Sequence, residues 1–89
     1  MIKTLKDLPL KREETLKLIE EAFNYTDTNS FEIDFFPLMN PTNASNNYLL
    51  IEDEVVIGHI GVLYKTLVIN DNSFLIPMLG GVALSEKYR

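Results

Sequence analysis

The chain has 89 residues, 46% of them hydrophobic and 24% charged, with 13 acidic against 8 basic residues and a formal net charge of −5. This is the make-up of one small globular domain, not of a disordered tail or a non-specific nucleic-acid binder. With no cysteine and one histidine, disulfides, Cys-ligated zinc and thiol catalysis are excluded, and no metal site is expected.

No uncharged apolar run reaches the roughly 18 residues of a membrane span. The start, MIKTLKDLPLKREE, lacks the apolar h-region of a signal peptide. A cytoplasmic protein that contacts neither membrane nor nucleic acid is expected. Charge is unevenly placed. Residues 1–17 hold five of the eight basic residues, whereas 18–64 hold none and carry eight acids: Glu20, Glu21, Asp27, Glu32, Asp34, Glu52, Asp53 and Glu54. Such a stretch is either a set of solvated faces or an entrance that favours a cationic substrate.

Ile2 to Leu5 alternates and reads as a short first strand, broken by Asp7, Leu8 and Pro9. From Lys11 to Asn24 the period is helical: Leu16, Ile19 and Phe23 make a stripe that Leu18 and Ala22 widen. Asn24 to Asn29 are turn formers. Ser30 is placed to cap a second, short helix with Glu32 and Asp34 in its first turns. Phe31, Phe35 and Leu38 or Met39 would be its buried side. Pro37 should end or tighten it. NPTNASNN, 40–47, reads as an exposed loop.

The period then changes. Asn47 to Glu52 is a strand, turned by Asp53 and its acidic neighbours. Val55 to Ile69 is a long strand, apolar on both alternations, with Val56, Ile60, Val62 and Val68 on one face and Val55, Ile57, Leu63, Leu67 and Ile69 on the other. That pattern suits a strand covered on both sides. Asn70 to Ser73 is a second turn. Phe74 to Leu84 is a further strand without charge. In it Pro77 marks a bulge or the unpaired side, and Gly80-Gly81 a bulge or a close approach. The fold class is α+β, an α/β sandwich: a first strand (1–5), a helical pair (11–39) and an antiparallel three-strand meander (47–84) in a single domain, 1–89.

No free-standing catalytic motif is present. His59, between Gly58 and Ile60, is either a strand histidine with one hydrogen-bonded nitrogen or a weak candidate for a catalytic base. The informative segment is Leu79-Gly80-Gly81-Val82-Ala83-Leu84-Ser85-Glu86-Lys87-Tyr88-Arg89. It resembles the strand and turn that precede the acetyl-CoA pyrophosphate loop of the GNAT-type N-acetyltransferase superfamily. There a strand of the form G-G-V-A-V leads, often through Tyr-Arg, into the loop R-x-x-G-x-G/A. Arg89 matches the opening arginine, and the order of elements before it also matches.

The resemblance implies an acetyl-CoA-dependent N-acyltransferase. Its pantetheine arm would hydrogen-bond along Val82, Ala83 and Leu84, and Arg89 would begin the pyrophosphate loop. A backbone N–H near Val82 would be the oxyanion donor. A small-molecule or peptide amine would approach near Tyr25 and Glu32. The loop glycines, the following helix and the fifth strand of the family would come after Arg89. The chain is therefore expected to be an N-terminal half, inactive alone, whose last strand pairs with a second copy or with the missing C-terminal half. The alternative is a non-catalytic interaction module that uses that strand for β-augmentation.

Overall fold

A computed structural model describes residues 1–26 and 28–89; Asp27, one of the acids of the central stretch and part of the turn after the first helix, lies outside the described residues. The elements run β1 (Ile2–Thr4), a 3-10 turn (Pro9–Lys11), α1 (Arg12–Ala22), α2 (Phe31–Asp34), α3 (Phe36–Met39), a 3-10 turn (Pro41–Asn46), β2 (Asn47–Glu52), β3 (Val55–Ile69), β4 (Asn72–Leu84) and a last 3-10 turn (Glu86–Tyr88). The strands form one antiparallel sheet in the order β1-β2-β3-β4, so β4 is an edge. The fold is α+β, as the alternation of periods implies.

Local chemistry explains most boundaries. Asn24, at φ 56°, closes α1 in the left-handed conformation that Asn tolerates best after Gly. Ser30 caps α2, its hydroxyl accepting from the Ile33 N–H at 3.4 Å. Pro37 does not end the helical segment. The chain breaks two residues earlier, at Phe35, and restarts with Pro37 in the first turn of α3, where its missing N–H costs nothing. Both hairpins need only two turn residues, Asp53-Glu54 (φ 51° and 65°) and Asn70-Asp71 (φ 50° and 66°), so β4 begins at Asn72 rather than Phe74. The segment 40–47 is ordered by its own asparagines: Asn43 Nδ2 donates to Leu38 O and Val62 O, and Asn47 is buried.

The helices cover one face of the sheet. Leu16, Ile19, Phe31, Leu38 and Met39 pack there against Leu5, Leu49, Ile51, Val56 and Ala83. Phe23 and Phe35, expected inside, are about half exposed. The faces of β3 also differ from simple alternation. Ile51 pairs with Val56 and Leu50 with Gly58, which leaves Ile57 as an extra residue. That bulge shifts the phase, so Val56 and His59 share the inner face while Ile60 looks outward. The outer face carries Ile2, Tyr48, Leu50, Ile60 and Val82, all exposed, with no described residue covering it. Beyond the helices the β3–β4 hairpin continues as an arm in which every residue from Tyr64 to Leu79 is exposed, and the protein is 47 Å long.

Two polar anchors tie the layers. Arg12 binds Glu32 Oε2 through Nε (3.0 Å) and Nη2 (2.6 Å) and donates to Met39 O, joining α1 to α2 and α3. Glu14 accepts from the Val56 N–H at 2.7 Å and from Lys11, which also donates to Glu54 O; together they tie α1 to the β2–β3 turn. The Val56 hydrogen bond, then Lys11, hold the Glu14 carboxyl below its ordinary 4.5 against the opposing effect of burial. The unfolded chain therefore takes up the Glu14 proton first as pH falls, and the native state loses this stabilisation as pH drops from 4.5 through the folded value. Glu14→Gln is expected to flatten that part of the melting-temperature curve while wild type falls steeply, as read by thermal melts from pH 7 to 3.

Candidate functional site

The site begins with a mismatch in the β3–β4 ladder. His59 pairs with Ala83 and Gly61 with Gly80, so Gly81 and Val82 together oppose Ile60 alone. Gly81 adopts φ 60°, and this is a bulge of the kind that requires glycine at its first position. The ladder on either side fixes which backbone groups are spent. The Ser85 N–H donates to Ile57 O, so Ala83, two residues back, also faces β3. Alternation then turns the Val82 C=O and the Leu84 N–H and C=O to the free edge, while the Val82 N–H points opposite the inward Gly81 C=O across their shared planar peptide. The same reasoning from the turn at Asn70-Asp71 puts Pro77, opposite Tyr64, on the non-bonded side, where a residue without N–H is tolerated.

A cavity of about 580 Å³ opens beside this edge. It is lined by Ile2, Tyr48, Leu50, Ile60, Val82 and Leu84 of the uncovered sheet face, by Leu49, His59 and Ala83 of the inner face, and by Phe23 and Arg89. Arg89 folds back so that its Nε donates to Leu84 O at 2.8 Å. The expected acyl-donor residues Val82, Ala83, Leu84 and Arg89 therefore converge on one cavity. Its walls are apolar, while the edge offers backbone hydrogen-bonding groups. That combination suits a long, amphipathic, amide-bearing chain.

His59 lies under the bulge, 2% exposed. Its Nδ1 is 2.6 Å from Gly81 O and its Nε2 is 2.8 Å from Asn47 Oδ1. Burial lowers its pKa below the ordinary 6.5, against the opposing pull of the Gly81 carbonyl. With both ring nitrogens held, no lone pair faces an incoming amine. Asn47 had no signal as a site residue in the sequence, where it closes a polar run; its burial follows from sitting opposite Gly61 on the inner face.

Tyr25 and Glu32, expected on the acceptor side, belong to a separate cluster. The Tyr25 hydroxyl donates to Asp34 at 3.1 Å. Desolvation, then that carboxylate and Glu20, hold its phenol above the ordinary 10. Glu32 is engaged by Arg12. Phe31 links this cluster to the bulge. It stacks on Phe35 at 4.7 Å, meets Phe23 and Tyr25 edge-on, and comes within 3.0 Å of where a Gly81 side chain would start.

No family model and no curated protein matches the chain. Among solved structures, it is similar to the crystal structure of a conserved protein of unknown function from Enterococcus faecalis V583, described as a probable N-acyltransferase. The TM-score is 0.74 at 21% identity, over 100% of this chain and 22% of that one. The likeness establishes that the two chains share a fold over this length, and the chain spans less than a quarter of the neighbour's length.

A side chain at Gly81 would meet His59 Cε1 and Phe31 Cζ at 3.0 Å in addition to carrying a left-handed φ. Gly81→Ala is expected to cost about 1–2 kcal/mol from the backbone alone, and more with those contacts. Urea denaturation measures the loss.

Proposed function

We propose that this chain forms the acyl-donor side of an acetyl-CoA-dependent N-acyltransferase of the GNAT type. The observation that carries the reading is the backbone of Val82 and the Leu84 N–H, turned away from the ladder beside an apolar cavity, at the point where a glycine bulge interrupts the last pairing. The likeness in fold to a probable N-acyltransferase supports it independently.

In this reading the pantetheine arm lies along β4 as a substitute strand and pairs with the edge groups that would otherwise need water. The acetyl carbonyl sits by Val82, whose N–H receives the negative charge as an amine attacks. The nitrogen forms its bond to the carbonyl carbon, the carbon–sulfur bond breaks, and CoA leaves as thiolate. The proton lost by nitrogen passes to water or to a base outside this cluster. Arg89 stands where the pyrophosphate loop of that superfamily begins.

A second reading has one observation in its favour: no described strand pairs with the outer edge of β4 along its 13 residues, which include the exposed arm. A peptide or a second copy adding there as a strand would use the same unpaired groups.

Amide chemical shifts separate the two. Acetyl-CoA titrated into the labelled chain is expected to move the Val82 and Leu84 amides and leave those of Leu67–Leu75 in place. No shift at saturating millimolar acetyl-CoA overturns the acyl-donor reading. Concentration-dependent shifts along the arm without ligand support strand addition. In a chain continued beyond Arg89, release of free thiol from acetyl-CoA across a panel of amines identifies the acceptor.

A further inference from the structure

The hydrogen-bond arithmetic around His59 does not close for a neutral ring. Gly81 O can only accept, so Nδ1 carries a hydrogen. Asn47 Nδ2 spends both hydrogens on Leu38 O (3.0 Å) and Asn43 O (3.1 Å), which leaves its oxygen toward Nε2. Turning the Asn47 amide over would set its oxygen against those two carbonyls. The pocket thus presents two acceptors to the ring, and only the doubly protonated imidazole satisfies both. A neutral ring sets a bare Nε2 lone pair against Asn47 Oδ1 at 2.8 Å.

Among the described residues, none that faces the ring supplies a counter-charge. Around the ring, β2 brings Asn47 and Leu49, β4 brings Gly81 and Ala83, and α2 brings Phe31 beside Gly81; none of these ionises. Of the described acids on the helical side, four are engaged elsewhere: Glu14 on the Val56 N–H, Glu20 on the Phe31 N–H, Glu32 on Arg12, Asp34 on Tyr25. Glu13 and Glu21 of α1, and Glu52 and Lys65 on the strands, are exposed, and Lys17 points away from the core.

We propose that His59 is the positioning residue of the acyl-donor site. Its ring grips Gly81 O and Asn47 Oδ1 together and so holds the β4 bulge that turns the Val82 N–H away from the inner face. The inference rests on the acyl-donor reading above and adds to it a residue that acts through the bulge. The grip is tightest when the ring carries both protons and slackens when Nε2 loses its own. Site geometry should therefore follow the ring's protonation, which a merely space-filling side chain would not produce.

The first test needs no variant. The ring nitrogens of His59, the Val82 amide and the acetyl-CoA dissociation constant are followed by NMR from pH 8 to 4.5. The three are expected to share one midpoint, below 6.5 because the ring is buried, with binding about threefold to tenfold tighter on the acid side, the worth of one hydrogen bond. Two substitutions extend it. His59→Leu is expected to displace the Gly81 carbonyl and Val82 amide resonances and weaken acetyl-CoA binding about tenfold. His59→Gln, which keeps a donor, recovers part of both. A Val82 amide and an acetyl-CoA affinity that ignore the His59 titration overturn the proposal even if neither variant folds, and they leave the acyl-donor reading standing. Wild-type chain that binds no acetyl-CoA overturns that reading instead, and the role proposed for His59 in it.

Discussion

A backbone carbonyl that leaves a sheet ladder must find another donor or forfeit a hydrogen bond in the dry interior. Here that carbonyl belongs to Gly81 and the donor is the ring of His59 on the neighbouring strand. The whole candidate site depends on this exchange. Because β4 carries one more residue than β3 between the flanking pairs, Gly81 turns inward and Val82 outward. A regular ladder would place the same residue types in the same order with no break in the pairing beside the cavity.

The helical layer acts on the bulge from below. Phe31 is fully buried beneath Gly81 and held in place by Phe35, Phe23 and Tyr25. Its N–H is capped by Glu20, and its helix is tied to α1 through Glu32 and Arg12. The Arg12–Glu32 pair is partly exposed, so its direct contribution to stability is small. Its larger effect is geometric, since it fixes the helix that carries Phe31. By contrast the outer sheet face and the hairpin arm are apolar and open. An exposed apolar surface of this extent is larger than a small soluble domain ordinarily leaves uncovered.

Much of the site was legible from residues 79–84. Tandem glycine in an otherwise apolar strand has few structural explanations, and a bulge is one of them. Pro77 likewise announced an unpaired side. His59 was legible only as a strand histidine with one bonded nitrogen, because its second partner, Asn47, comes from a run of turn-forming residues. Period alone also misassigned the faces of β3. The extra residue at Ile57 arises from how β2 and β3 pair, and a single inserted residue reverses every side chain beyond it.

Local chemistry by itself determined the order of strands and helices, where the chain turns between strands, the cap at Ser30 and the uncharged last strand. Each of these depends on neighbours within a few positions. Only the tertiary structure decided which carbonyl His59 takes, which face of the sheet stays bare and which backbone groups reach the free edge. Those are set by register between strands, and register is a property of pairs that no single segment carries.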